Sequence, residues 1–216
     1  MTRTEDNKAV TKVIGITGGV GAGKSSVLLL LERECSCRMI VADEAAKKLQ
    51  EPGEECYREL VSAFGTGILD PEGRIDKTGL ARVIFEDESA RDKVNSIIHP
   101  AVNKYITDVI KEERQRNSIE FLFIEAALLI ECGYDSICDE LWYVYASEES
   151  RRKRLRETRG YSDEKITSIF EAQLSENEFR KYCAEVIDND AGEEKTGEEI
   201  RMLICRKRRE FGFGEC

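Results

Sequence analysis

Val13-Ile14-Gly15-Ile16-Thr17-Gly18-Gly19-Val20-Gly21-Ala22-Gly23-Lys24-Ser25, followed closely by Val27-Leu28-Leu29-Leu30-Leu31, is the stretch that decides the architecture. An apolar run without alternation reads as a buried strand over 13–17, and the leucine-rich segment reads as a helix that fades at Glu34. Between them, Gly18, four residues and then Gly23-Lys24-Ser25 have the spacing of a P-loop, in the strand-to-helix setting that this motif requires. Each residue type has its own task. Glycines let backbone N–H groups turn toward phosphate oxygens, and the helix N-terminus adds partial positive charge. The lysine reaches the β- and γ-phosphates, while the serine hydroxyl can hold Mg²⁺. Gly19, Val20, Gly21, Ala22, Gly23, Lys24, Ser25 and Ser26 are therefore the expected nucleotide-binding residues, with Ser25 as the metal ligand.

A chain of 216 residues suits one α/β core with an inserted lobe, and its 35% charged content fits a helix-rich surface. The net charge of −10 argues against broad binding to nucleic acid or anionic membrane, so phosphate recognition has to be local. Local cations exist: Arg151, Arg152, Lys153, Arg154, Arg156 and Arg159 fall within nine positions. A second run, 206–209, reads as a complement to the C-terminal end of the last helix. Eight cysteines and a single histidine show no zinc spacing, and neither metal site nor disulfide is expected. With no signal peptide and no transmembrane run, the expectation is a cytoplasmic protein with reduced thiols. It is expected to act on small molecules, as a monomer or weak homo-oligomer.

Taken in order, residues 1–11 read as a polar leader. A second strand is expected over 38–42, ending at Asp43, where the carboxyl edge of an open α/β sheet gathers ligands. There Asp43 could meet an acceptor hydroxyl, or it could simply N-cap the helix that follows over 44–50. From 51 to about 117 the signals are helical, broken at Pro52-Gly53, 65–67 and 70–73. Helices are expected over 54–64, 77–85, 88–98 and 101–116, with His99-Pro100 as a junction between the last two. Taken alone, the lone histidine reads as structural rather than catalytic, because a His-Pro boundary needs no chemistry. Residues 121–124 form a buried strand ending in Glu125, the usual place for a residue that holds magnesium or its water, a role that could also be absent here. A fourth strand over 141–145 leads to a basic helix over 149–158 and a further helix reaching about Leu174, a pair that could close over ATP as a lid. On the basic helix Arg151 and Arg154 share one side, Arg152 and Arg156 another. A short strand over 185–187 precedes Asp188-Asn189, and 197–210 closes the chain as a helix.

The order of these parts resembles the dephospho-coenzyme A kinase family across nearly the whole chain. The resemblance rests on 14–25, Ala42-Asp43, Glu51-Pro52-Gly53, Phe64-Gly65, Gly73-Arg74-Ile75-Asp76 and His99-Pro100. It continues through Leu128-Leu129-Ile130-Glu131, Arg154-Leu155, Gln173 and Val186-Ile187-Asp188-Asn189. It implies an α/β fold: a P-loop NTPase three-layer α/β/α core with a five-stranded parallel sheet, an inserted helical substrate lobe and a helical lid. The chain would then be a single domain, with core 12–46, 118–150 and 184–210, an acceptor-binding lobe about 47–117 and a lid about 151–183. The implied activity is ATP-dependent, Mg²⁺-assisted phosphorylation of the 3′-hydroxyl of dephospho-coenzyme A, the last step in making coenzyme A. By position, Asp43 would be the base or orienter of that hydroxyl, beside Lys24 and Arg154 as catalytic residues. Glu51, Pro52, Gly53 and His99 would shape the acceptor side, Arg154 would sit near ATP phosphates, and Asn189 near the adenine.

The sequence departs from the family pattern in three places. Val41 stands where members often have a first aspartate, and Ala127 replaces a common proline. Thr158 occupies the position, four residues after Arg154, where the family often has a second arginine, with Arg159 beside it. Two other functions fit the P-loop: a kinase for another nucleoside or nucleotide, and a nucleotide-dependent switch. The switch would need a guanine-reading Asn-Lys-x-Asp segment, which the sequence lacks, and the Asp-x-x-Gly at 70–73 sits in a turn of the helical lobe rather than after a buried strand.

Overall fold

The structure, a computed structural model, describes residues 9–126, 129–130 and 133–215. Most of the leader, together with Ala127, Leu128 and Glu131, lies outside the described residues. Five strands form one sheet: β1 (Lys12–Thr17), β2 (Cys37–Val41), β3 (Phe121–Glu125), β4 (Glu140–Tyr145) and β5 (Glu185–Asp188), in the order β2-β3-β1-β4-β5. β1 runs parallel to β3 and β4, and β4 runs parallel to β5. The register pairs Ile16 with Glu125, Thr17 with Tyr143 and Tyr145 with Asp188, so these strands end along one edge.

Central strands have both faces covered, which is why their sequences run apolar without alternation. Ile14, Ile16, Phe121, Leu122, Phe123, Ile124 and Trp142 are fully buried. The rings of Phe121 and Phe123 stack at 5.7 Å, and Trp142 tilts against both. α1 (Lys24–Glu34) buries Val27, Leu28, Leu30 and Leu31 and packs on α9 (Glu193–Phe211). α9 begins four residues before the expected start at 197. Gly197 lies inside it, where a β-carbon would stand at ordinary contact distance, 3.8 Å, from Leu30, so this glycine marks no helix end.

The chain forms two compact units, one of residues up to Met39 with those from Glu112 onward, the other of Ile40–Lys111. The second unit holds α2 (Ala42–Leu49), α3 (Glu55–Phe64), a short 3-10 turn (Thr66–Ile68), α4 (Lys77–Glu86) and most of α5 (Glu88–Arg116). Its core is Cys56, Leu60, Ile68, Leu80 and Val94. The expected junction at His99-Pro100 is corrected: α5 is one helix of 29 residues with Pro100 inside it. Proline removes one helical hydrogen bond, yet buried Ala90, Val94, Val102, Ile106 and Ile110 continue the helical spacing on both sides of it. Burial of that apolar face outweighs the missing bond.

Asp43 is also corrected in place. β2 stops at Val41, and Asp43 is the exposed second residue of α2, whose N-cap position is Val41. It is neither a strand end nor a cap.

After β4 come α6 (Glu148–Arg159), α7 (Asp163–Glu171) and α8 (Glu176–Tyr182), the last absent from the sequence reading. The expectation of wholly reduced thiols is corrected too, since Cys205 is disulfide-bonded. Spacing along a sequence does not say which thiols a fold brings together. Cys35, Cys37, Cys56, Cys138 and Cys183 are free. Among the described residues no helix is long and apolar enough to cross a membrane.

Candidate functional site

The loop between β1 and α1 needs glycine for reasons visible around it. Gly18 has φ +149°, and a β-carbon there would come within 2.5 Å of the Val144 carbonyl oxygen. Gly23, with φ +88°, occupies the N-cap of α1, and a β-carbon on it would collide with the Asn189 side-chain nitrogen. No side chain caps α1, and its first turn holds no acid. The N-terminal N–H groups and the positive end of the helix dipole are thus left to an anion from outside. Lys24 Nζ donates to the Gly18 carbonyl at 2.8 Å and lies 3.6 Å from Glu125 Oε1. Ser25 and Ser26 follow, exposed, in the first turn.

Two arginines from α6 hold this loop from the other side. Arg154 donates to the carbonyls of Gly21 (3.3 Å), Ala22 (3.1 Å) and Asn189 (2.6 Å). Asn189, buried just after β5, donates from Nδ2 to the Ala22 carbonyl at 2.8 Å, with its Oδ1 near the Thr196 hydroxyl. Arg151 donates from Nε to the Val20 carbonyl (3.0 Å) and from Nη2 to Gln173 Oε1 (2.7 Å), and that same oxygen accepts from the Val20 N–H. Arg152 and Arg156 point elsewhere, to Glu148 and Thr167 and to Asp163. The face rule for residues three and four apart therefore separates the arginines at the loop from those turned away. Arg159 stands exposed beside the Tyr161 ring. Burial lowers the Arg151 pKa, and it pushes the Tyr143 hydroxyl up to about 12, with Glu176 adding to the rise.

The remaining candidates lie in the second unit. Glu51, Pro52 and Gly53 are exposed in the turn after α2, where Gly53 has φ +102° and its carbonyl accepts from Arg58. Glu51 lines a cavity of about 400 Å³ with Lys47, Gln50, Arg74 and Asp76 among its neighbours. The structure thereby brings Glu51 together with part of the Gly73-Arg74-Ile75-Asp76 segment. Asp43 and His99, both exposed, do not line that cavity. The 70–73 segment is a tight turn, with the Gly73 N–H donating to the Asp70 carbonyl at 2.9 Å, and it follows no buried strand.

Sequence reasoning gave Gln173 no role and did not single out Arg151 from its neighbours. The helical spacing that pairs Arg151 with Arg154 was the available signal, but nothing local says that Gln173, 22 residues away, meets it.

Comparison with known proteins bears on the whole arrangement. A family model described as dephospho-CoA kinase matches residues 12–195. A dephospho-CoA kinase of Geobacillus kaustophilus is 35% identical over 195 residues, 90% of this chain and 96% of the relative. One of Geobacter metallireducens is 36% identical over 191 residues, 88% of this chain and 94% of the relative. Among solved structures, TT1252 from Thermus thermophilus is 28% identical, with a TM-score of 0.74 over 92% of this chain and 98% of its own. A dephospho-CoA kinase from Campylobacter jejuni, 20% identical, shares the fold with a TM-score of 0.69 over 94% of this chain and 98% of its own.

Proposed function

The chain belongs to the dephospho-CoA kinase family and phosphorylates dephospho-coenzyme A with ATP in the last step of coenzyme A synthesis, and we propose how its residues divide that work. The observation that carries the donor side is the uncapped, acid-free N-terminus of α1 beneath the glycine loop. The loop N–H groups, Lys24 and Arg154 hold the ATP phosphates, and Arg154 also fixes the loop against the strand end that carries Asn189, beside which the adenine lies. Ser25, with Glu125 acting through water, would hold Mg²⁺. The donor set fits that ion: an exposed hydroxyl and a carboxylate are hard oxygen ligands, and Mg²⁺ takes most of its remaining ligands from phosphate and water. Bound there, the ion would supply positive charge to the transferring phosphate.

The acceptor is handled by the second unit. Asp43 orients the 3′-hydroxyl and takes its proton as the oxygen–phosphorus bond forms and the bond from the γ-phosphorus to the β-bridging oxygen breaks, releasing ADP. Glu51, Pro52, Gly53 and His99 shape the acceptor side, and α6 with α7 closes as the lid. The transition state is loose, so position and electrostatics carry the rate. The chain works in the cytoplasm as a monomer or weak homo-oligomer.

The test is incubation with ATP, Mg²⁺ and dephospho-coenzyme A, scored by mass spectrometry for one added phosphoryl group, beside other nucleosides and nucleotides as acceptors. Phosphorylation of another acceptor in preference would redirect the assignment, and phosphate release without any acceptor product would favour the switch. Asp43→Asn is expected to lower kcat by about 10²- to 10⁴-fold, the range for general-base assistance, while ATP affinity stays near that of the parent. Undiminished turnover in that variant removes Asp43 from the chemistry.

A further inference from the structure

On the reading that the glycine loop is the ATP site, we infer that Arg151 is a second phosphate-binding arginine of this chain, held in place by Gln173. Three observations lead there. The first is charge balance along the lid helices. Arg152 pairs with Glu148 at 2.8 Å, Arg156 with Asp163 at 2.6 Å and Arg180 with Glu176 at 2.7 Å. Arg151 and Arg154, facing the loop, have no carboxylate within ion-pair distance among the described residues. Arg151 is half-buried, and its partners are all neutral: the Val20 carbonyl, the Gln173 amide oxygen and the Phe170 ring at 4.1 Å. A partly desolvated cation with no carboxylate in ion-pair contact, only the more distant charge of Glu148, is a favourable place for an anion to join.

The second observation is position. A β-carbon on Gly19 would overlap the Arg151 guanidinium, so the cation lies directly on the backbone of the phosphate loop. Gln173 Oε1 receives both Arg151 Nη2 and the Val20 N–H, tying the fork to the loop it serves.

The third is a gap elsewhere on the same helix. Thr158, four residues after Arg154 on the same side of the helix, carries no charge, and its hydroxyl donates back to the Arg154 carbonyl at 2.7 Å. Arg159 is exposed. Arg151, three residues before Arg154 on the same helical face, supplies the second cation from the opposite direction.

The test needs no acceptor. Dissociation constants for ATP and AMP are measured by titration calorimetry on the full chain and on Arg151→Met, Arg151→Lys, Gln173→Glu and Arg156→Met. Loss of a charge-assisted hydrogen bond to phosphate should weaken ATP by about 10- to 100-fold in Arg151→Met and leave AMP within about threefold. Arg151→Lys should recover part of the loss, and Arg156→Met should change neither constant. Gln173→Glu gives Arg151 a carboxylate, so it should raise the unfolding temperature without nucleotide and weaken ATP binding. A merely structural Gln173 would produce the first effect without the second. Equal weakening of ATP and AMP in Arg151→Met, or an unchanged ATP constant, overturns the inference. A chain that passes these tests yet leaves dephospho-coenzyme A unmodified would instead overturn the acceptor assignment alone.

Discussion

Lys207 shows how a single charge can hold one end of this sheet. It is 4% exposed, and its three ammonium protons are shared among Glu140 (2.9 Å), Glu185 (2.8 Å) and Glu210 (2.9 Å). Glu140 and Glu185 are the first residues of β4 and β5, at the strand ends opposite the phosphate loop. Glu140 also accepts from the Trp142 indole, and Glu185 takes both arms of Arg206. Lys207→Met leaves two partly buried carboxylates short of their cation, and breaking such a pair typically costs about 3–5 kcal/mol. A urea midpoint unchanged at pH 7 would show the network to be dispensable. Its pH dependence has a definite sign. Burial pushes the Glu185 pKa up, but hydrogen bonds from Arg206 and Lys207 outweigh it and hold the folded value below the ordinary one. Stability from Glu185 is therefore complete above its unfolded pKa, about 4.3, and is lost as pH falls through the folded value. Burial lowers the Lys207 pKa, yet bonds to the three glutamates raise it overall. That contribution is present below about 10.4 and lost only as pH rises through the higher folded value. The Lys207→Met deficit should thus be constant from about pH 6 to 9 and shrink in acid.

Among the elements, α8 has the smallest apolar investment and the clearest cap. Only Phe179 is buried, stacked on Tyr143 at 4.8 Å and 7°. Its start is a capping box: Ser175 accepts from the Glu178 N–H, and the Glu178 carboxylate accepts from the Ser175 N–H at 2.8 Å. Ser175→Ala should cost about 1 kcal/mol, measurable as a lowered unfolding midpoint, with Thr at 175 restoring most of it. No loss on removing the hydroxyl would mean that Phe179 alone holds the helix. The same element marks where sequence becomes hard to read. A single buried residue in seven gives no periodicity, so only the Ser-x-x-Glu pattern announces α8. In α5 the punctuation misleads instead, because burial along the helix carries it through Pro100. The strands β1, β3 and β4 were legible because both their faces are covered. The phosphate loop was legible because glycines at 18 and 23 answer to backbone geometry that no other residue meets cheaply. Its braces were not: Arg151 and Val20 stand 131 positions apart, and only the folded chain brings them together.

At the scale of the molecule, the two units rest on unequal cores. The first is built on a five-stranded sheet whose central strands are almost wholly buried. The second, Ile40–Lys111, is helical and has five buried residues in its core cluster. Small units bury a smaller share of their surface, and local opening follows buried contact, so the second unit should open at lower free energy than the sheet. Native-state hydrogen exchange followed by mass spectrometry tests this directly. Amides of α3 and α4 should exchange at least about tenfold faster than those of β1, β3 and β4, a gap of about 1.4 kcal/mol in opening free energy. Ligands then separate the roles proposed for the two units. Dephospho-coenzyme A without ATP should slow exchange in α2 and α3, while ATP without acceptor should slow it in the loop and in α6. Equal protection across both units would mean that they open together, and protection of α2 and α3 by ATP alone would move the acceptor role away from the second unit.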